Sequence, residues 1–408
     1  MSARILHADL VVPDPADQAI TDGAVLVADG RIELVGTYAE VRRHAQSQTP
    51  VHHFPGATIL PGLIDCHVHL ALSGTSDAVA RLEASDDRTL LLAMAGRAQE
   101  LLDSGVTTVR DLGDRGGLSV ALRDAIARGD LPGPRVLAAG APVTVTGGHC
   151  WYFGGQADGP EEIRAVVRRN VQAGADLIKV MATGGGLTPD GPAPWVAQFT
   201  YEEVRVAVEE ARRFGRQVAA HVHGTDGVRI ALAAGVDTLE HCSFIPPPGP
   251  VRGPDAAATE LIKQIAADGV SVCPTYSSVL TESAKRIGES GVRPWLDLVL
   301  HQHEQGVRIL AGTDAGIPGA AFGKYVEGLE WFARAGLDND AILAAATSAA
   351  ADALGIAHRT GRLRAGLEAD VLVVDGDPRT DLAVLRRSLL VLARGRAHRS
   401  RAEFGGTQ

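Results

Sequence analysis

The chain has 408 residues and a formal charge of −10, with 39 Lys plus Arg against 49 Asp plus Glu. An acidic surface repels nucleic acid and anionic membranes, and no Lys/Arg-rich block opposes this, so neither is expected as a partner. Apolar residues make up 45%. That supplies a sizeable core and argues against wholesale disorder, and the length suits a large barrel with an appended piece.

The N-terminal stretch "MSARILHADLVVPDPADQAI" is broken by Asp9, Pro13, Asp14 and Pro15 and lacks the apolar run of a signal peptide. No uncharged apolar stretch reaches bilayer length. A soluble cytoplasmic protein is the expectation. "GAVLVADGRIELVG" follows, two β-rich runs joined by Asp29-Gly30, a strong hairpin signal. The far end reads the same way, with short strands in "GRLRAGLEADVLVVDGDP" and "SLLVLARGRAH". One small β-sandwich domain built from both termini, residues 1–57 and 358–408, accounts for these runs.

Residues 58–357 alternate between β-like runs and Ala/Leu/Arg-rich helical stretches. The β runs are "TILPGLIDCHVH", "GVTTVRDLG", "PRVLAAGAPV", "ADLIKVMATGG", "QVAAHVHG", "GVDTLEHCSF", "GVSVCPTYS" and "GVRILAGTDAG". Stretches such as "DRTLLLAMAGRAQELLDSG" and "YEEVRVAVEEARRFG" lie between them. About eight βα units predict an α/β fold with a (β/α)8 TIM barrel. The rival, a doubly wound open sheet, wants a Gly-rich phosphate turn after its first strand, and that turn is missing.

Polar residues gather near the carboxyl ends of these runs. His67 and His69 end the first, in phase with Asp65, where polar side chains on an apolar strand are costly unless paired. Lys179 lies in the fourth, His221 and His223 in the fifth, His241 in the sixth and Asp314 in the eighth. In a (β/α)8 barrel these ends face one mouth, and His with carboxylate is a donor set for catalytic zinc. A single H-x-H is weak, since histidines alternate by chance. Four histidines plus Asp314 at strand ends point to metal. Lys179 has no lone pair when protonated, and its plainest reading is an ion pair with Asp314 or Asp111. The cysteines, Cys66, Cys150, Cys242 and Cys273, form no C-x-x-C pair, which argues against a zinc knuckle or a disulfide framework.

"PGLIDCHVH", "ADLIKVMATGG", "HVHG", "EHCSF" and "AGTDAG" resemble the amidohydrolase superfamily. More narrowly they are similar to its prolidase-like, metal-dependent carboxypeptidase branch, which includes imidazolonepropionase-like proteins. The likeness covers nearly the whole chain, and "GRLRAGLEADVLVVDGDP" is similar to the return of the chain into the family's β-sandwich domain. The resemblance implies two divalent ions. Zinc suits imidazole and carboxylate best, although manganese, cobalt or iron fit the same donors. His67 and His69, with Asp314, would hold the more buried ion, and His221 with His241 the second. Lys179, carboxylated by carbon dioxide, would bridge both as a carbamate. Hydroxide formed at the ions near pH 7 would attack an amide carbon. Asp314 would move the proton to the leaving nitrogen, and the second ion, His223 or His149 would steady the oxyanion.

Substrate contacts are expected from several loops. His149 sits in "TVTGGHCWYFGG", where Gly147 and Gly148 allow close approach to a ligand, and the aromatic run including Tyr152 suits an apolar substrate group. A solvated histidine and a loop packed on its own barrel remain open. Trp195 in "GGGLTPDGPAPWVAQFT" and the "IPPPGPVRGP" stretch read as substrate-enclosing loops. Arg110 and Tyr276 are candidates for a substrate carboxylate or carbonyl, an arginine there being as often part of a salt bridge, and His223 is a candidate for the substrate site.

The leading expectation is hydrolysis of an amide bond in a dipeptide, N-acyl amino acid or short peptide. A peptide-trimming enzyme of a natural-product pathway is an alternative that genomic neighbours would separate. Ring deamination or cyclic-amide hydrolysis is another. The family's deaminases usually place an acidic residue after the fifth-strand histidine and commonly lack the lysine, whereas here Gly224 and Thr225 follow and Lys179 is present. A non-catalytic metal scaffold is a third, opposed by the complete donor set. A homo-oligomer is compatible with the apolar content.

Overall fold

The computed structural model describes residues 3–247 and 255–398. Most of the "IPPPGPVRGP" loop, from residue 248 to 254, lies outside the described residues.

Alternating apolar residues near the N-terminus form β1 (Arg4–Val11), β2 (Ile20–Ala28), β3 (Arg31–Thr37) and β4 (Val51–Pro61). Asp29 and Gly30 make the β2–β3 turn, both at positive φ (47° and 80°), as a tight hairpin turn requires. The middle of the chain supplies β5 (Leu63–Val68), β6 (Val106–Asp111), β7 (Arg135–Ala138), β8 (Leu177–Met181), β9 (Gln217–Val222), β10 (Thr238–His241), β11 (Ser271–Cys273) and β12 (Arg308–Ile309). The end adds β13 (Val371–Asp375), β14 (Ser388–Ala393) and β15 (Arg396–His398).

The terminal strands join as expected from both ends of the chain. They form one hydrogen-bonded sheet in the order β15-β14-β13-β4-β1-β2-β3, where the sequence suggested two packed sheets. Period-two alternation gives that sheet two buried faces. Ile59, Val371 and Val373 pack with Leu6 and Val25 on one side. Leu60, Leu372 and Val374 point the other way, into the main core.

All eight runs of the middle become parallel strands, in sheets ordered β5-β6-β7 and β8-β9-β10-β11-β12. Irregular segments link these sheets on both sides. Val143 N donates to Lys179 O and Met181 N to Val143 O, each at 2.8 Å. On the other side Cys66 N donates to Ala311 O (2.9 Å), Asp314 N to His67 O (2.7 Å) and His69 N to Ala315 O (2.8 Å). The ends of β5 and of the segment after β12 are thereby stitched together, which brings the first and last donor residues into contact. Strands of this kind are buried on both faces, as β5, β6 and β8 are throughout.

Amphipathic helices cover the parallel strands. Tyr201–Arg213 starts at a capping box of Thr200 and Glu203 and buries Val204, Ala207, Val208 and Ala211. That i, i+3, i+4, i+7 stripe is the face a surface helix needs. Among the described residues no helix is long and apolar enough to cross a membrane.

One buried cluster couples the terminal sheet to the parallel strands. Arg135, at the start of β7, donates to Thr108 Oγ1 (2.8 Å) and to Glu368 Oε2 (2.6 Å). Its Nη1 also lies 2.8 Å from Asp370 Oδ2 as an ion pair off the hydrogen-bond direction. Removing one partner of a buried pair costs about 3–5 kcal/mol, because the other charge stays behind. Arg135→Ala should therefore lower the urea midpoint of unfolding by an amount equivalent to about 3 kcal/mol. A change under about 1 kcal/mol would show that water reaches the carboxylates.

Candidate metal centre

A cavity of about 330 Å³ opens at the carboxyl ends of the parallel strands. His67, His69, His149, Lys179, His221 and Asp314 line it, joined by His223 and His241. The backbone bends sharply there. His241, Thr275 and Asp314 follow or end β10, β11 and β12 at φ of 65°, 60° and 58°, a left-handed conformation that side-chain-bearing residues rarely adopt. Such residues concentrate at functional sites because surrounding contacts must hold them. Asp65 provides one such contact. Its carboxylate accepts from Thr313 N (3.0 Å) and Thr313 Oγ1 (2.6 Å), and from His67 N (3.2 Å).

His67 and His69 are oriented from behind. His67 Nδ1 donates to Glu240 Oε2 at 2.9 Å, and His69 Nδ1 donates to the Gly113 carbonyl at 3.4 Å. Each ring carries its proton on Nδ1, so each Nε2 presents a lone pair. The two Nε2 atoms lie 3.4 Å apart. Asp314 Oδ1 sits 3.3 Å from one and 3.4 Å from the other, buried and without a hydrogen-bond donor. Three acceptors facing one another with no proton between them are what a cation requires. These residues fit a divalent metal on that chemistry, and the three can hold a single ion.

A second group of ligand atoms comprises His221, His223 and His241. His241 Nδ1 donates to Thr275 Oγ1 (2.9 Å), whose own proton goes to Pro274 O (2.7 Å). His241 Nε2 is thus free. His221 Nε2 donates to Gly184 O at 3.1 Å, which leaves Nδ1 as its ligand atom. His223 Nδ1 is 2.7 Å from Ser243 Oγ. Burial pushes all these imidazoles below their usual range, His69 to about 3 and His223 to about 4. They are neutral at pH 7, the form that binds metal.

Lys179 lies on β8 between the groups. Its Nζ is buried with no hydrogen-bond partner, so the ion pair with Asp314 or Asp111 is not formed. Asp111 instead accepts from Leu70 N (2.8 Å) and Gly113 N (3.2 Å). Burial lowers the Lys179 amine to about 8 and raises the Asp314 carboxyl to about 7. In both, the loss of hydration outweighs the attraction of nearby opposite charges.

The expected substrate residues divide. His149 lines the cavity, its Nδ1 3.1 Å from Thr188 Oγ1 and its ring 4.6 Å from His221. Gly185 makes that possible, since a Cβ there would meet the His149 ring at 2.5 Å. Arg110 does not line the cavity. It is buried beneath it, donating to Cys66 O (2.6 Å), Thr238 Oγ1 (2.9 Å) and Glu240 Oε1 (2.8 Å), so it has no donor directed at a substrate. Tyr276 donates its hydroxyl to Trp295 O at 2.6 Å, which removes it as a carbonyl ligand. Tyr152 and Trp195 also stand outside the residues lining the cavity. Tyr152 turns its hydroxyl to Cys150 Sγ (3.4 Å), and the neighbouring Phe153 packs behind His69 with ring centres 6.0 Å apart.

Glu240 escaped the sequence reading although it stands beside His241 in "EHCSF". Its signal was a carboxylate inside an apolar strand. It is fully buried, paired to Arg110, and holds His67 in the tautomer described above.

Parallel strands, covering helices and a donor set that could hold a metal ion are the features of an α/β hydrolase of the amidohydrolase type. Residues 58–396 match the amidohydrolase family. The chain belongs to that family, whose members hydrolyse carbon–nitrogen bonds. It is 31% identical to ochratoxinase of Aspergillus niger across 94% of this chain and 83% of that protein. It is 26% identical to imidazolonepropionase of Chromobacterium violaceum across 91% and 90% of the two chains. The structure of a Xaa-Pro dipeptidase with methionine in its active site superposes with a TM-score of 0.84 at 30% identity, covering 97% of this chain and all of that one.

Carboxylates that orient ligand histidines are typically worth about 10–100-fold in metal affinity. Glu240→Gln should weaken zinc binding by roughly that factor, read by competition with a chromogenic chelator. Unchanged affinity would mean that packing alone orients His67.

Proposed function

We propose that this chain is a binuclear metal-dependent amidase or peptidase. It would cleave an amide bond in a dipeptide, an N-acyl amino acid or a short peptide. The proposed architecture is a (β/α)8 barrel, residues 58–357, carried on a smaller domain from residues 1–57 and 358–408. The observation that carries the reading is the convergence of His67 Nε2, His69 Nε2 and Asp314 Oδ1 without a donor among them, beside a second histidine group.

His67, His69 and Asp314 would hold one ion and His221 with His241 the other, zinc being the metal that suits these donors. The pair would supply activated water and polarise the scissile carbonyl. Lys179, which lines the same cavity as both groups, would serve both. Its neutral amine would bond to carbon dioxide and release one proton, giving a carbamate anion that would supply oxygen donors for metal. Asp314 would take a proton from the attacking water and return it to the leaving nitrogen. His223 and His149 line the same cavity and would donate to the tetrahedral oxygen as it develops charge.

Lys179→Ala should lose most activity and about one metal equivalent per chain, measured by elemental analysis, with partial recovery on adding acetate or propionate. Full activity and full metal content in that variant would remove the bridging role. Asp314→Asn should keep some metal yet lower kcat by roughly 10²–10⁴, and a near-normal kcat would rule out proton transfer by this residue.

The class of reaction is tested with zinc-loaded protein and a mass-encoded library of dipeptides, N-acyl amino acids and short peptides. Release of amino acids is the expected result. Ammonia release from purines or pyrimidines in the same assay would replace the reading with deamination.

A further inference from the structure

Beside the metal donors lies a second cavity of about 200 Å³. His223, His241, Thr275 and Val279 border both spaces, so the chamber adjoins the cavity that holds the candidate donors. No Asp, Glu, Lys or Arg lines it. Leu298, Val299 and Trp295 on the helix Glu289–Glu304 form its far wall, and Val279, Leu280 and Ser283 on the helix Ser278–Ile287 form its roof. The hydroxyl of Tyr276 is already engaged with Trp295 O, so its ring rather than its polar end is available to the chamber.

The roof helix carries a further clue. An amphipathic helix normally buries its apolar stripe, yet Ser278–Ile287 contains no fully buried residue. Val279, Leu280 and Ala284 remain only half-buried. Leu280 and Ala284 pack against the edge of the main core, while Val279, Leu280 and Ser283 also line the chamber. An apolar cavity of about 150 Å³ is already large enough to take benzene, and this chamber exceeds that.

We infer that the chamber is a specificity subsite receiving an aromatic or branched apolar side chain of the substrate, next to the bond that is cut. The inference rests on the proposed amide hydrolysis for its place in a reaction, and on the chamber alone for its ligand. An apolar side chain entering it leaves water and covers Val279 and Leu280. A charged side chain would lose hydration and find no Asp, Glu, Lys or Arg to offset it.

The test uses the full-length, zinc-loaded protein and has two readouts. Isothermal titration with L-phenylalanine, L-leucine, glycine and L-aspartate measures occupancy without turnover. Phenylalanine and leucine should bind roughly 10- to 100-fold more tightly than glycine or aspartate. Ser283→Trp, which fills the chamber from its roof, should bring all four to similar affinity while zinc content stays at the wild-type level. Should that variant fail to fold, Ser283→Leu fills less space and should weaken phenylalanine more than leucine. The second readout is kcat/KM on dipeptides bearing the same side chains. Cleavage without apolar preference, or a preference that survives Ser283→Trp, overturns the subsite and leaves amide hydrolysis standing. Apolar binding abolished by Ser283→Trp, with no dipeptide or N-acyl amino acid cleaved, supports the subsite and overturns amide hydrolysis.

Discussion

Lone pairs held face to face in a low-dielectric interior repel one another, and the rest of this structure is organised around keeping His67, His69 and Asp314 in that arrangement. No folded apo-protein gains from it directly. It is sustained by contacts behind each donor: Glu240 and Arg110 behind His67, the Gly113 carbonyl behind His69, and the Asp65–Thr313 link beside Asp314. Each fixes which nitrogen holds a proton or where a strand end turns. The cost of the unpaired electron density is met by tertiary structure until a cation offsets it.

The same logic explains the strained backbone. Regular strands would carry side chains past the cavity at fixed intervals. Left-handed turns at His241, Thr275 and Asp314 redirect three chain segments within a residue of the donors. Asp314 N then bonds to His67 O, so the strain is shared across the seam between the first and last parallel strands. Precision at the donors and irregularity of the backbone have one cause.

Much of this was legible in the sequence. The eight apolar runs, their helices and the hairpin at Asp29-Gly30 all have local signals, and each appears in the fold. The donors were legible because histidine, lysine and aspartate at apolar strand ends have few other uses. What was not legible depends on depth along a strand. Arg110 and Lys179 are both cations in apolar strands, yet one lies beneath the cavity in a saturated hydrogen-bond cluster and the other lines it. Residue type does not encode that layer; the stagger between neighbouring strands does. The Tyr276 hydroxyl was lost to a carbonyl nineteen positions away in the chain, a partner that only helix packing supplies. The terminal strands announced themselves individually, but how they join into a sheet is decided by non-local pairing.

The position of β4 carries a consequence for biosynthesis. It sits between β1 and β13, and β13 begins at Val371, whereas β4 ends at Pro61. A ribosome adding 5–20 residues per second leaves that edge of β4 unpaired for roughly 15–60 s. Over that interval Ile59 and Leu60 belong to an open strand edge of the kind that recruits other chains. Completion of the sheet, and with it the anchorage of β5 just beyond Gly62, waits for β13–β15. The nascent chain therefore carries an unpaired β4 edge throughout synthesis of the strands that bear the candidate donors.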